Sequence, residues 1–170
     1  MTKLLSFLLI TSASFLLMGS VSAQSKQSDV KKAIVGSWDL VGDVATSKDG
    51  AVTKGKAFGE NPIGRIIFMS NGQYFNLNTK SNIPKFASGS RLEGTPDENK
   101  AVAQGAIAHY GTYTISPDGK ELILKTIGSS WPGWVGIEQK RPLTISSDQM
   151  VYKVSSSFGG TVDLAYKRVK

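Results

Sequence analysis

The feature that most constrains this chain is the rhythm of its turns. Asp49-Gly50, Asn71-Gly72, Pro117-Asp118-Gly119 and Ser146-Ser147-Asp148 separate short runs in which apolar and polar residues alternate. A period of two puts successive side chains on opposite faces of a strand, and Asn-Gly and Asp-Gly favour tight hairpin turns. The runs lie at 34–46, weakly at 52–58, then at 65–69, 73–78, 110–116, 121–127, 137–145, 149–154 and 161–169. Short strands at such intervals predict an all-β protein, an up-and-down antiparallel β-barrel of eight or nine strands.

One segment breaks the rhythm. From Thr79 to Gly94 the alternation dissolves around Pro84 and Gly89, too long a stretch for an ordinary hairpin connection. It leads into Thr95-Pro96-Asp97-Glu98, which predicts a helix with Thr95 as N-cap, Pro96 in the first turn and Glu98 returning to the cap. This inserted helix is expected to run to about Ala108 and to lie against the barrel through Ala101, Val102, Ala106 and Ile107. Ahead of the first strand, Gln24 to Asp29 reads as a flexible lead and Val30 to Ala33 as a short helical turn.

Residues 1–23 have the form of a secretory signal peptide: Lys3, an apolar stretch from Leu4 to Leu17, then Val21-Ser22-Ala23 as a small-x-small cleavage site. The apolar stretch is interrupted by Thr11, Ser12 and Ser14 and is short of the ~20 residues that a span needs. The expectation is a domain over residues 24–170, periplasmic or secreted, with no integral span after cleavage. There is no cysteine, so stability rests on burial and strand pairing rather than disulfides. The net charge is +7, but the basic residues are scattered, so no nucleic-acid partner is predicted. Nothing indicates a cofactor, and the oligomeric state is open.

Candidate functional residues follow from the faces they share. In the first strand Trp38, Leu40, Gly42 and Val44 fall together, opposite Asp39, Val41 and Asp43; in the last, Val162, Leu164, Tyr166 and Arg168 fall together. If Trp38 is inward, so is Arg168. Arg141 lies on the apolar side of its strand with Gln139 and Leu143, where a guanidinium is costly unless paired. Either an internal carboxylate holds it or the interior receives an anionic or carbonyl-bearing ligand, which its bidentate fork suits. His109 is the only histidine; it shares a face with Gly111, Tyr113 and Ile115 and is read either as a structural hydrogen-bonding residue or as a titratable group in a cavity. A lone histidine without cysteine offers no usual zinc set, and no Gly-x-Ser-x-Gly elbow is present. Trp131 and Trp134 either plug a barrel end or line an apolar entrance.

Gly36-x-Trp38 with Arg168 resembles the lipocalin arrangement, in which an arginine of the last strand packs over a tryptophan of the first. Phe58-Gly59-Glu60-Asn61-Pro62-x-Gly64-Arg65, Pro84-Lys85-Phe86-Ala87-Ser88-Gly89, Gly111-Thr112-Tyr113, Pro132-x-Trp134-x-Gly136 and Gln139-x-Arg141 resemble the bacterial and fungal lipocalin-like domain family. The resemblance runs from about Ile34 to Val169 and departs from the family at Leu124-Lys125, a strand where relatives tend to carry histidine. It implies a barrel around a cavity and no particular ligand.

Two function classes stand: a binder of a small apolar or amphipathic ligand, and an isomerase or cyclase using the same cavity. The scarcity of titratable inward groups favours binding. The ligand is expected to enter between the Thr79 to Gly94 loop with its helix and the Trp131 to Trp134 turn. Its polar end meets Arg141, aided by Tyr113 or His109; Phe75, Leu77 and Leu143 supply apolar walls, and Phe86 closes over the entrance.

Overall fold

A computed structural model describes residues 26–170, so the predicted leader and its cleavage site lie outside the described residues. The chain enters on a helix, α1, over 26–34, longer than the single turn expected. Gln27, Val30 and Ile34 fall on one helical face; Ile34 is buried, Val30 packs on the core, and the Gln27 amide donates to the Ile115 carbonyl. The polar letters of 24–29 concealed this stripe. Ile34 therefore ends a helix rather than beginning a strand, and the first strand starts only at Gly36.

The strands are β1 (Gly36–Thr46), β2 (Val52–Lys54), β3 (Ile63–Phe68), β4 (Gln73–Thr79), β5 (Ala106–Ile115), β6 (Glu121–Ser129), β7 (Glu138–Ile145), β8 (Gln149–Ser155) and β9 (Thr161–Arg168). Each from β3 to β9 pairs antiparallel with the next, β3 pairs with β1, and β1 pairs with β9, closing an eight-stranded barrel; β2 is an extra strand on the far half of β1. The run at 52–58 thus yields three strand residues, after which the chain turns.

Glu98 closes the expected capping box on the second helix, α2 (Pro96–Gly105): its backbone N–H donates to Thr95 Oγ1 at 3.3 Å, and its carboxylate accepts from the Thr95 N–H at 2.8 Å. The helix ends earlier than expected. Gly105 is buried against Ile83, and β5 begins at Ala106.

A β-bulge between Leu40 and Gly42 changes the inward face of β1. Trp38 and Leu40 are buried as expected, but beyond the bulge the buried residues are Asp43 and Ala45, not Gly42 and Val44. Asp43 then accepts the N–H groups of Ala57 and Phe58 at 2.9 and 3.0 Å and holds the 55–59 loop across the barrel rim.

One end of the barrel is shut. Trp38, fully buried, donates its indole N–H to the Ile34 carbonyl at 2.8 Å, and the Arg168 guanidinium sits 4.0 Å from the Trp38 ring centre. Arg168 also donates to the carbonyls of Ala33, Val35 and Ser147, two of which lie at the end of α1 and would otherwise lack partners. Gly36 makes this approach possible: its φ is 127°, and a Cβ there would meet Arg168 Nη1 at 3.0 Å.

Candidate functional site

The opposite end contains a cavity of about 750 Å³. Its walls come from the inward faces of β4, β5, β7, β8 and β9, and its rim from the 55–59 loop, α2, the one-turn 3₁₀ segment Pro132–Trp134 and the β8–β9 turn.

Arg141 stands in the wall, 2 % exposed. Its guanidinium donates to Gln139 Oε1 at 2.7 Å and lies 5.0 Å from the Tyr152 ring centre and 5.7 Å from that of Trp134. Its Nε and the neighbouring Gln139 Nε2 are buried without a hydrogen-bond partner among the described residues. The ion pairs found among the described residues, Arg65–Asp39 and Lys153–Asp163, are elsewhere and partly exposed. Three cations line the cavity, Lys56, Lys80 and Arg141, and no Asp or Glu does. Of the two expectations for Arg141, the internal carboxylate is not met.

His109 is buried with both ring nitrogens occupied. Asn76 Nδ2 donates to Nε2 at 3.1 Å, which places the ring proton on Nδ1, facing the Tyr74 hydroxyl at 2.9 Å; Tyr74 reaches Thr126 Oγ1 at 3.3 Å. Burial first, and the charge of Arg141 second, lower its pKa to about 3. The ring is also edge-on to Trp134, with centroids 5.2 Å apart. A second group of hydrogen bonds joins it: Tyr152 and Tyr166 hydroxyls at 2.8 Å, and Asn78 Nδ2 donating to Tyr166 at 2.7 Å. Burial raises the pKa of both phenols, so they stay protonated.

Of the residues expected to serve the site, His109, Trp131, Trp134 and Arg141 line the cavity. Phe75 and Leu77 do not: they are 44 % and 41 % exposed on the outer face. The Asn71-Gly72 hairpin sets Tyr74 opposite the inward Phe68, which turns Tyr74, Asn76 and Asn78 inward. Tyr113 is inward but belongs to the shut end, where its hydroxyl donates to the Met69 carbonyl and its ring packs edge-on to Phe68. Leu143 is part of the core rather than the lining. Phe86 lies against Gly94 within its own loop and does not reach the cavity.

Asn76, Asn78 and Tyr152 line the cavity as well, without having been expected there. The usable signal was the pairing of Phe68 with Tyr74 across the Asn-Gly turn.

A family model described as a lipocalin-like domain matches residues 35–162. The chain belongs to this lipocalin-like family. No curated protein matches it. Among solved structures it is similar to a redesigned beta barrel (14 % identity, TM-score 0.42, covering 83 % of this chain and 96 % of that one). A de novo designed fluorescence-activating beta barrel gives 14 % identity and a TM-score of 0.42, over 83 % of this chain and 98 % of that one. A redesigned barrel, mFAP0, bound to DFHBI gives 18 % and 0.38, over 80 % and 99 %. The lipocalin-like assignment rests on the sequence match and on the closed barrel itself.

Proposed function

We propose that this lipocalin-like protein is exported and binds a small amphipathic molecule, its anionic head at Arg141 and its apolar body along the cavity. One observation carries the reading: a buried guanidinium without an acidic partner, in a cavity lined by cations and no carboxylate. Burying a lone charge costs stability, and a carboxylate or sulfonate would supply the missing acceptors in bidentate geometry. Val162, Leu164 and Phe58 offer apolar contact along the way.

The isomerase or cyclase alternative needs a group that takes or gives a proton near neutral pH. His109, with a pKa of about 3, is a weak base, and the inward tyrosines are held protonated. Binding is therefore the better-supported class.

The test is extraction of small molecules that co-purify with the protein, followed by their rebinding to the emptied protein. Recovery of an unaltered anionic amphiphile supports the proposal; a turned-over product, or binding only of cationic or neutral compounds, sinks it. Export rests on the leader at 1–23, and mass spectrometry of the exported form should find a chain beginning at Gln24.

A further inference from the structure

The barrel wall is unevenly joined. Among the eight barrel strands, β7 and β8 share the shortest pairing, Leu143–Ile145 against Met150–Tyr152, although both strands extend well beyond it toward the cavity end. The sequence supplies the cause. The Leu143 N–H donates to the Lys120 carbonyl on the β6 side at 2.7 Å. In an antiparallel ladder the direction alternates, so the N–H groups of 144, 142 and 140 point toward β8. Position 142 is a proline, which has no N–H to give. The ladder stops there, leaving 138–142 and 153–155 unpaired with each other.

This unpaired stretch is level with the site. Continuing the register sets Arg141 opposite Val154 and Lys140 opposite Ser155. Arg141 from one bank and Tyr152, Val154 and Ser155 from the other all line the cavity. The two buried donors without partners, Arg141 Nε and Gln139 Nε2, belong to the β7 bank. Lys140 is exposed on the outer side of the same bank.

Resting on the anion-binding reading, we infer that the β7–β8 seam is a side passage through which the ligand's anionic head reaches Arg141, and that Pro142 keeps it open. The rim beneath α2 then accommodates the apolar end. Lys140 and the unpaired main-chain N–H groups give an incoming anion successive partners on the way to the guanidinium.

The experiment uses the anionic fluorophore 1-anilinonaphthalene-8-sulfonate and two cysteine pairs, placed in a chain that has no native cysteine. Lys140→Cys with Ser155→Cys spans the seam, and Lys56→Cys with Phe158→Cys spans the rim; each is joined by a short bifunctional thiol reagent. Joining the seam should slow association at least tenfold relative to the unjoined pair, and Pro142→Val should slow it in the same direction. A larger slowing from the rim pair overturns the proposal. Amide hydrogen exchange in the free protein gives an independent reading: the Lys140 amide should exchange far faster than that of Thr144, which is paired with Val151. Equal protection of the two overturns the proposal as well. If the fluorophore fails to bind the unmodified protein, the anion-binding reading falls, and exchange at Lys140 alone decides whether the seam is open.

Discussion

The two ends of the barrel each stack an arginine on aromatic rings, and they treat it in opposite ways. Arg168 lies 4.0 Å over Trp38 and spends its donors on three main-chain carbonyls, so the shut end is complete within the chain. Arg141 lies near Trp134 and Tyr152 with one side-chain acceptor and an unpartnered Nε. Cation–π contact alone does not separate a structural arginine from a ligand-facing one. The supply of acceptors does.

Trp38→Ala should lower unfolding free energy by about 3 to 5 kcal/mol in denaturant titration, the scale of a large core truncation; a negligible loss would remove Trp38 from its keystone position. Next comes the paired test of the arginines. Arg168→Met strands three carbonyls and should cost about 2 to 3 kcal/mol. Arg141→Met removes an unpaired buried charge and should leave stability unchanged or raise it, while weakening an anionic ligand by about 2 to 5 kcal/mol. Equal destabilisation by both, with unchanged binding, would show that the two sites are alike.

A pH titration sharpens the contrast, because the only histidine belongs to the open end. The folded pKa of His109, about 3, lies below its ordinary 6.5, so below pH 6.5 the unfolded chain takes up a proton that the folded chain refuses. Stability should therefore be unaffected by His109 above that pH and fall toward pH 3, by roughly 1.4 kcal/mol per unit. His109→Gln should flatten that part of the curve; an unchanged slope would mean that the ring is not held neutral. The smallest effect belongs to the helix over the open end. Thr95→Ala breaks the capping box and should cost about 1 kcal/mol, read as a modest drop in melting temperature.

Much of the architecture was legible because turn chemistry is local. Asn71-Gly72, Pro117-Asp118-Gly119 and the Thr95 to Glu98 box each carry their signal within a few residues. The inward positions of Arg141, Trp38 and Arg168 were legible from alternation, and the packing of Arg168 over Trp38 from the resemblance to lipocalins. What failed depended on distant partners. Asn76 and Asn78 look solvent-facing, but His109 and Tyr166, 33 and 88 residues away, satisfy them inside. Phe75 and Leu77 look inward, yet the hairpin register forces them out. The bulge in β1 inverted its second half, so Asp43 could not be recognised as the buried anchor of the 55–59 loop. The helix at 26–34 escaped because the polar residues around Gln27 and Val30 hide the stripe that faces the barrel.

The pairing of β1 with β9 has a consequence in time. It is the longest strand pairing in the barrel and joins the first and last strands, bringing Trp38 beside Arg168. Every other barrel pairing from β3 to β9 joins neighbours in sequence, so each can form as a hairpin or short meander. Only this one, and with it the shut end, must wait for nearly the whole chain to be arranged. Such a non-local pairing is intrinsically slow to form, because loop-closure entropy must be met before its contacts are made. Until β9 arrives, the Trp38 side has no lid, and water can reach the interior from the end that later becomes the driest.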